Sequence, residues 1–171
     1  STMNARPVQT SDDRPWEGGW NARIVLQAAG ITETANVIGT AKDDYTIPAP
    51  PPVNARPCVR VSAANEPMQN ADYGVALGSE SDRSWTWELQ VANLREGTEA
   101  QIMLPDLSGL PNDLVATLHD PVAGESRYLR TTGAYRFTAR SQPRTLQLVV
   151  EPRGASSLNV SSLSVQQARG G

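Results

Sequence analysis

The feature that most constrains the fold of this chain is an alternation of apolar and polar side chains between residues 114 and 150. A period of two indicates half-buried β-strands, because successive side chains of a strand point to opposite faces. Turn-forming residues such as Asp120-Pro121 and Gly133 interrupt the alternation. We therefore predict three successive antiparallel strands that form a meander. Their apolar faces carry Leu114, Ala116 and Leu118, then Tyr135 and Phe137, then Leu146, Leu148 and Val150.

The same period recurs upstream, while helical periodicity is missing. Short alternating segments occur at 20–28, 59–63, 73–77, 85–91 and 100–104. The 13 prolines and 13 glycines are spread along the chain and leave no uninterrupted window for a helical apolar stripe. We predict an all-β fold, a two-sheet antiparallel β-sandwich with Ig-like or jelly-roll, Greek-key connections and about nine or ten strands.

A chain of 171 residues is long enough for one core, so we expect one domain. Residues 1–18 are polar and show no period, which predicts an extended N-terminal arm. The arm is either a linker or a segment that lies along another subunit. Residues 19–167 form the predicted sandwich, whose last strand, at 158–165, changes phase and suggests a bulge. Residues 168–171 are the predicted flexible end.

Residues 30–57 lack a strand pattern for most of their length and predict a long loop. The proline-rich run Ile47–Val53 favours polyproline II and cannot join a central ladder, because proline has no N–H to donate. We expect this loop to cover a sheet edge. The alternative is a ligand for an aromatic-lined groove. If the protein has a working surface, we expect it in the arm and in this loop.

Charge and composition argue against several partners. The net charge is −3 and the arginines are scattered, so we expect no nucleic-acid partner. No apolar run is long enough to cross a bilayer, so we expect no membrane insertion. We expect the chain to carry no signal peptide. We expect an extracellular or cell-surface bacterial protein, as a mature or excised form.

No catalytic constellation is visible. Cys58, the single cysteine, follows Pro57 in a strand pattern and is interpreted as a small buried residue, not a reactive thiol. His119, the single histidine, lies at a strand end and is interpreted as structural. The acidic residues fall mostly in turns, and Asp12 and Asp13 lack calcium-ligand spacing. We predict no enzyme, no cofactor and no metal site.

The aromatic residues support an alternative function: the chain could be a carbohydrate-binding module. Trp85 and Trp87 share a face with Leu89 and Val91, so we assign both tryptophans to the core. The candidate sugar-binding residues are then Trp16, Trp20, Tyr45 and Tyr73. Separately, Asn159-Val160-Ser161 is a formal N-glycosylation sequon, which makes Asn159 a candidate glycosylation site.

A series of segments resembles a recurring bacterial module: NVIGTAKDDYTIPAPPPV, RSWTWELQV, the stretch 104–139, RTLQLVVEP and SLNVSSLSV. This is the β-sandwich module near the C-terminal end of large secreted and surface proteins, where it often precedes a FlgD-like immunoglobulin or sorting domain. The resemblance covers residues 16–168. It implies a non-catalytic spacer, adhesion element or assembly unit.

From these observations we predict a non-catalytic structural or assembly module of an extracellular bacterial protein. It would serve as a subunit of a surface fibre through arm or edge-strand contacts. Its expected partners are other copies of itself or neighbouring domains of the same protein, with glycans as the alternative.

Overall fold

The computed structural model describes residues 19–51, 55–67 and 72–154 of the chain. The predicted arm (residues 1–18), the predicted last strand and the predicted flexible end lie outside these residues. No helix in the described ranges has the length and apolar character needed to cross a membrane. The described residues form eleven strands: β1 (Asn21–Ala28), β2 (Ile31–Ala41), β3 (Tyr45–Pro48), β4 (Cys58–Val61), β5 (Tyr73–Ser79), β6 (Trp85–Ala92), β7 (Glu99–Met103), β8 (Leu114–Asp120), β9 (Glu125–Tyr128), β10 (Ala134–Thr138) and β11 (Arg144–Pro152).

The strands pair into one mixed sheet in the order β10-β7-β1-β2-β5-β4-β6-β11-β8-β9, and β3 pairs with β5 beside this path. All neighbours are antiparallel except β2 and β5, which run parallel from Val37↔Val75 to Ala41↔Ser79. The predicted all-β class is confirmed. The prediction of purely antiparallel pairing is wrong at β2 and β5, because the chain crosses over between them through β3 and β4.

The sheet curls so that it is nearly closed into a barrel, instead of forming two clearly separate sheets. Tyr135 on the edge strand β10 donates a hydrogen bond to Asp120 on β8, at the other end of the strand order. The ladder is narrowest between β4 and β5, which share the single pair Val61↔Tyr73. Every other neighbouring pair has at least four paired residues. The sheet therefore bends most easily at this joint.

The region predicted as a three-strand meander contains the four strands β8 to β11. β9 and β11 both pair with β8, and β11 also pairs with β6. β10 instead leaves its sequence neighbours and pairs with β7. The meander prediction is therefore wrong, because local alternation identifies strands but does not specify their partners.

Tryptophans dominate the core in the way that their shared parity predicts. Trp85 and Trp87 are 6% and 0% exposed, which confirms both as core residues. Their indole N–H groups donate to the Ser79 and Ala76 carbonyls at 2.9 and 3.0 Å, so neither leaves an unpaired donor. Trp20 packs edge-on against Trp87, with ring centroids 6.1 Å apart.

Residues 30–57 hold more regular structure than their sequence predicts. The eleven-residue strand β2 begins at Ile31, so the prediction of a long irregular loop is wrong. Asn36 breaks the apolar alternation of β2, yet it is 3% exposed. Its amide donates to the Val59 and Tyr73 carbonyls at 3.0 and 3.3 Å, which compensates for its burial.

The proline-rich run begins in β3, beside the main path of the sheet. Ile47 pairs with Val75, and Pro48 pairs with Tyr73 after a register shift. The start of the run thus lies along the edge of β5, as expected for a segment that covers a sheet edge. Residues 52–54 of the run lie outside the described residues.

Candidate functional site

A buried charged cluster ties the two ends of the strand order together. The Asp120 side chain is fully buried and accepts hydrogen bonds from the Tyr135 hydroxyl and, at 3.1 Å, from Arg144 Nε. Arg144 Nη2 lies 3.0 Å from the same carboxylate oxygen. The other oxygen accepts the backbone N–H groups of Val122 and Ala123 at 3.1 and 3.3 Å. The carboxylate is therefore satisfied within the protein.

The ionisation of this cluster follows from its contacts. Burial raises the pKa of Asp120, but the hydrogen bonds from Tyr135 and Arg144 outweigh it and hold the pKa below its ordinary value. Burial, together with the hydrogen bond to Asp120, raises the pKa of Tyr135 to about 12. At neutral pH the carboxylate is charged and the phenol is neutral. The cluster is a structural tie with no polar atom offered to a ligand.

The cluster is completed by aromatic contacts. The Arg144 guanidinium lies 4.9 Å from the Phe137 ring centroid, and that of Arg127 lies 5.6 Å from the Tyr135 centroid. Sequence reasoning missed the cluster because Asp120 was assigned to a turn. Its parity with Leu118 is the signal that could have identified it, since an acid on an apolar strand face must find buried partners.

His119 pairs with a serine on the outer side of the sheet. Its Nδ1 lies 2.7 Å from the Ser126 hydroxyl, and the two residues are directly opposite on β8 and β9. Such a cross-strand pair stabilises a hairpin. Cys58 lies on β4, three strand spacings away, or about 14 Å at about 4.8 Å per spacing. The two candidate reactive groups therefore lie too far apart to act together.

Cys58 lines a cavity of about 190 Å³ together with residues 49–51 of the proline-rich run. Burial raises the pKa of the thiol, against the opposing effect of the nearby Arg60 guanidinium. The thiol is therefore protonated at neutral pH, which makes it a poor nucleophile. The charged residues of the lining have both signs: Glu33, Arg56, Arg60 and Asp72. Arg60 Nε lies 3.7 Å from the Asp72 carboxylate, so part of this charge is already paired.

A second depression, of about 320 Å³, lies on the outer face of β1, β2, β5 and β3, and we call it the outer groove. Core residues Ile38 and Ala76 alternate with Val37 and Val75, which therefore point outwards. Ile47 beside them is 39% exposed. The groove is lined by Asn21, Arg23, Val37, Ile47, Val75 and Leu77. Four of its six lining side chains are apolar.

The candidate sugar-binding residues do not form an aromatic platform in the described structure. Trp20 is 5% exposed and packs on Trp87, so its inclusion is corrected: neither face of its ring is open to a sugar. Tyr73 is half-buried and packs against the core. Tyr45 is half-buried on β3. Trp16 and the candidate glycosylation site Asn159 lie outside the described residues.

Metal and cofactor chemistry find no support in the geometry. In the described ranges, no three His, Cys, Asp or Glu side chains are grouped in a way that could hold a metal ion. Comparison with protein-family models, with curated proteins and with solved structures found no match to this chain.

Proposed function

We propose that this chain is a non-catalytic structural or assembly module of an extracellular bacterial protein, and that it self-associates through its arm as a subunit of a surface fibre. The resemblance to sandwich modules of bacterial surface proteins supports this proposal. We further propose that the curled sheet is a two-layer β-sandwich. One layer is β10-β7-β1-β2-β5 with β3, the other is β4-β6-β11-β8-β9, and the single β4–β5 pair is the corner between them.

The observation that carries the proposal is a contrast between buried and exposed groups. The buried charges of Asp120 and Arg144 are paired with each other, and the carboxylate has further partners. In contrast, Val37, Ile47 and Val75 present apolar surface on the outer face. Catalysis needs unpaired polar groups aimed at a substrate, whereas assembly needs an apolar patch. The described surface carries such an apolar patch in the outer groove.

The edge strands favour assembly through the outer face over assembly through an edge ladder. β9 is four residues long and carries the exposed ion pair Glu125–Arg127, with 2.6 Å between nitrogen and oxygen. β10 is five residues long and exposes Arg136. β3 ends in Pro48, which cannot donate to a ladder. Short, charged or proline-bearing edges are the features by which proteins avoid edge-to-edge pairing.

The test is to image and weigh the full chain and a variant that lacks residues 1–18. We expect negative-stain microscopy to show linear assemblies of the full chain, because a heterologous contact need not close. Light scattering should show a mass that rises with concentration. The shortened variant should remain a monomer with an unchanged near-UV circular dichroism spectrum. Assembly that persists without residues 1–18 would refute the role of the arm.

A further inference from the structure

We propose that the outer groove is the docking site for the arm (residues 1–18) of a second copy of this chain, with Trp16 as the anchoring side chain. The inference rests on the proposed function and adds the surface to which the arm binds. The residues that line the groove differ from those of the charged cluster and from those of the Cys58 cavity.

The groove follows from the registers of four strands. Arg23, Val37, Val75 and Ile47 form one row across β1, β2, β5 and β3. The next row runs from Asn21 through Gly39 and Leu77 to Tyr45. Backbone atoms of Trp20 and Asn21 fill the space beside Gly39, and Leu77 is 2% exposed, so the open apolar surface lies in the first row. An apolar channel therefore crosses the sheet instead of following one strand.

The chain path favours the arm of a second copy over the molecule's own arm. Trp20 is opposite Thr40: its carbonyl accepts the Thr40 N–H at 2.8 Å, and its own N–H lies 3.5 Å from the Thr40 hydroxyl. Gly19 continues along this line, packed against the Thr40 carbonyl. The chain thus leaves β1 along the strand axis, away from the row that contains Val37 and Val75. An arm from the same molecule would have to reverse direction to enter the groove.

The length and chemistry of the arm fit the groove. Eighteen extended residues span about 60 Å, which is ample to cross four strands spaced about 4.8 Å apart. Trp16 is the largest apolar side chain of the arm, and aromatic anchors in apolar pockets dominate the energy of most interfaces. Near Trp16 the three acids Asp12, Asp13 and Glu17 outnumber the single base Arg14, and the groove carries the exposed Arg23 at its rim. Apolar and charged groups are thus complementary.

Two full-length variants test the pairing in a complementation experiment. Trp16→Ala removes the anchor and leaves the groove intact, whereas Val75→Glu places a charge in the groove and leaves the arm intact. We expect each variant alone to be monomeric at concentrations where the wild type associates, with the dissociation constant raised at least about tenfold. Mixed together, they should form a 1:1 dimer, because one good arm meets one good groove. Sedimentation velocity measures both results.

Val149→Glu is the matched control, since Val149 is a half-buried valine on the outer face of β11. It should associate like the wild type, and its circular dichroism should match that of Val75→Glu. If Trp16→Ala abolishes association but Val75→Glu does not, the groove assignment is overturned while the proposed function stands. A wild type that remains monomeric at every concentration overturns both. A mixture that fails to dimerise, although each variant is folded, also overturns the groove assignment.

Discussion

Asp120 shows at the scale of one residue how this fold accommodates a buried charge. Removing a carboxylate from water is costly, and burial alone would raise its pKa and neutralise it. Here Tyr135, Arg144 and two backbone N–H groups surround it, so the charged form prevails. Because Asp120 ends β8, while Tyr135 lies on β10 and Arg144 on β11, one carboxylate links three strands.

Replacing Asp120 with asparagine should destabilise the fold strongly. The amide keeps the shape of the side chain but leaves the buried Arg144 guanidinium without a counter-charge. Breaking a buried pair in this way costs about 3 kcal/mol or more. Urea denaturation followed by tryptophan fluorescence measures the change in unfolding free energy. Asp43→Asn, at an exposed turn position, is the matched control and should change it by less than about 0.5 kcal/mol.

The lowered pKa of Asp120 predicts a loss of stability in acid. In the unfolded chain this carboxyl has an ordinary pKa of about 3.9, so at low pH the unfolded state takes up a proton more readily than the folded state. The unfolding free energy should therefore fall as the pH drops below about 5. Urea midpoints between pH 7 and pH 3 measure this slope. The slope should be shallower in Asp120→Asn, and equal slopes in both proteins would contradict the assignment.

At the scale of elements, the contact between β1 and β2 depends on Gly39. A Cβ atom at this position would lie 2.0 Å from the Trp20 carbonyl oxygen and 2.6 Å from the Asn21 Cα. Both are backbone atoms, which cannot rotate away as a flexible side chain would. The close approach also holds Trp20 at the point where its ring reaches Trp87.

Gly39→Ala should therefore force β1 and β2 apart and lower the unfolding free energy by about 2 kcal/mol or more. Thermal and urea denaturation measure this loss, and the near-UV signal of Trp20 and Trp87 should change with it. Gly133→Ala is the control, because a Cβ at Gly133 meets no atom within 4 Å. An alanine at position 39 that is as well tolerated as one at position 133 would contradict the close packing.

Local pattern predicted those elements whose apolar residues alternate without interruption. The segments 20–28, 85–91 and 114–120 have this pattern, and the corresponding strands occur as expected. β2 was missed because its alternation is broken by Asn36, a polar residue that long-range contacts bury. Local pattern could not predict that β10 pairs with β7 or that β2 pairs in parallel with β5. Both pairings depend on packing between segments that are distant in the chain.

The candidate site was predictable only in outline. The expectation of a working surface in the arm and in residues 30–57 stays a prediction; Val37 and Ile47 of the second stretch line the outer groove. The groove also needs Val75 and Leu77, which join it through parallel pairing that no local signal specifies. The burial of Trp20 was predictable, because Trp20 shares its parity with Ile24 and Leu26, and this apolar face of β1 meets the core.

At the scale of the whole molecule, the described residues combine a nearly closed curled sheet with an exposed apolar groove. The charged cluster closes the curled sheet, and the short edge strands carry charges or proline. Residues next to both described chain ends lie beside the loop between β7 and β8: Gly109 approaches Trp20 and Asn21, and the Arg153 N–H donates to the Asp113 carbonyl. Residues 1–18 and 155–171 therefore attach to one end of the domain, so an arm from this end can extend to a neighbouring molecule.

The central claim, self-association through the arm and the outer groove, is tested most directly by sedimentation velocity of the full chain over a wide range of concentrations. If the chain self-associates in this way, its weight-average mass should rise above the 18.4 kDa of one chain as the concentration increases. The variant Val75→Glu should remain at 18.4 kDa throughout. A single 18.4 kDa species at every concentration of the wild type would contradict self-association.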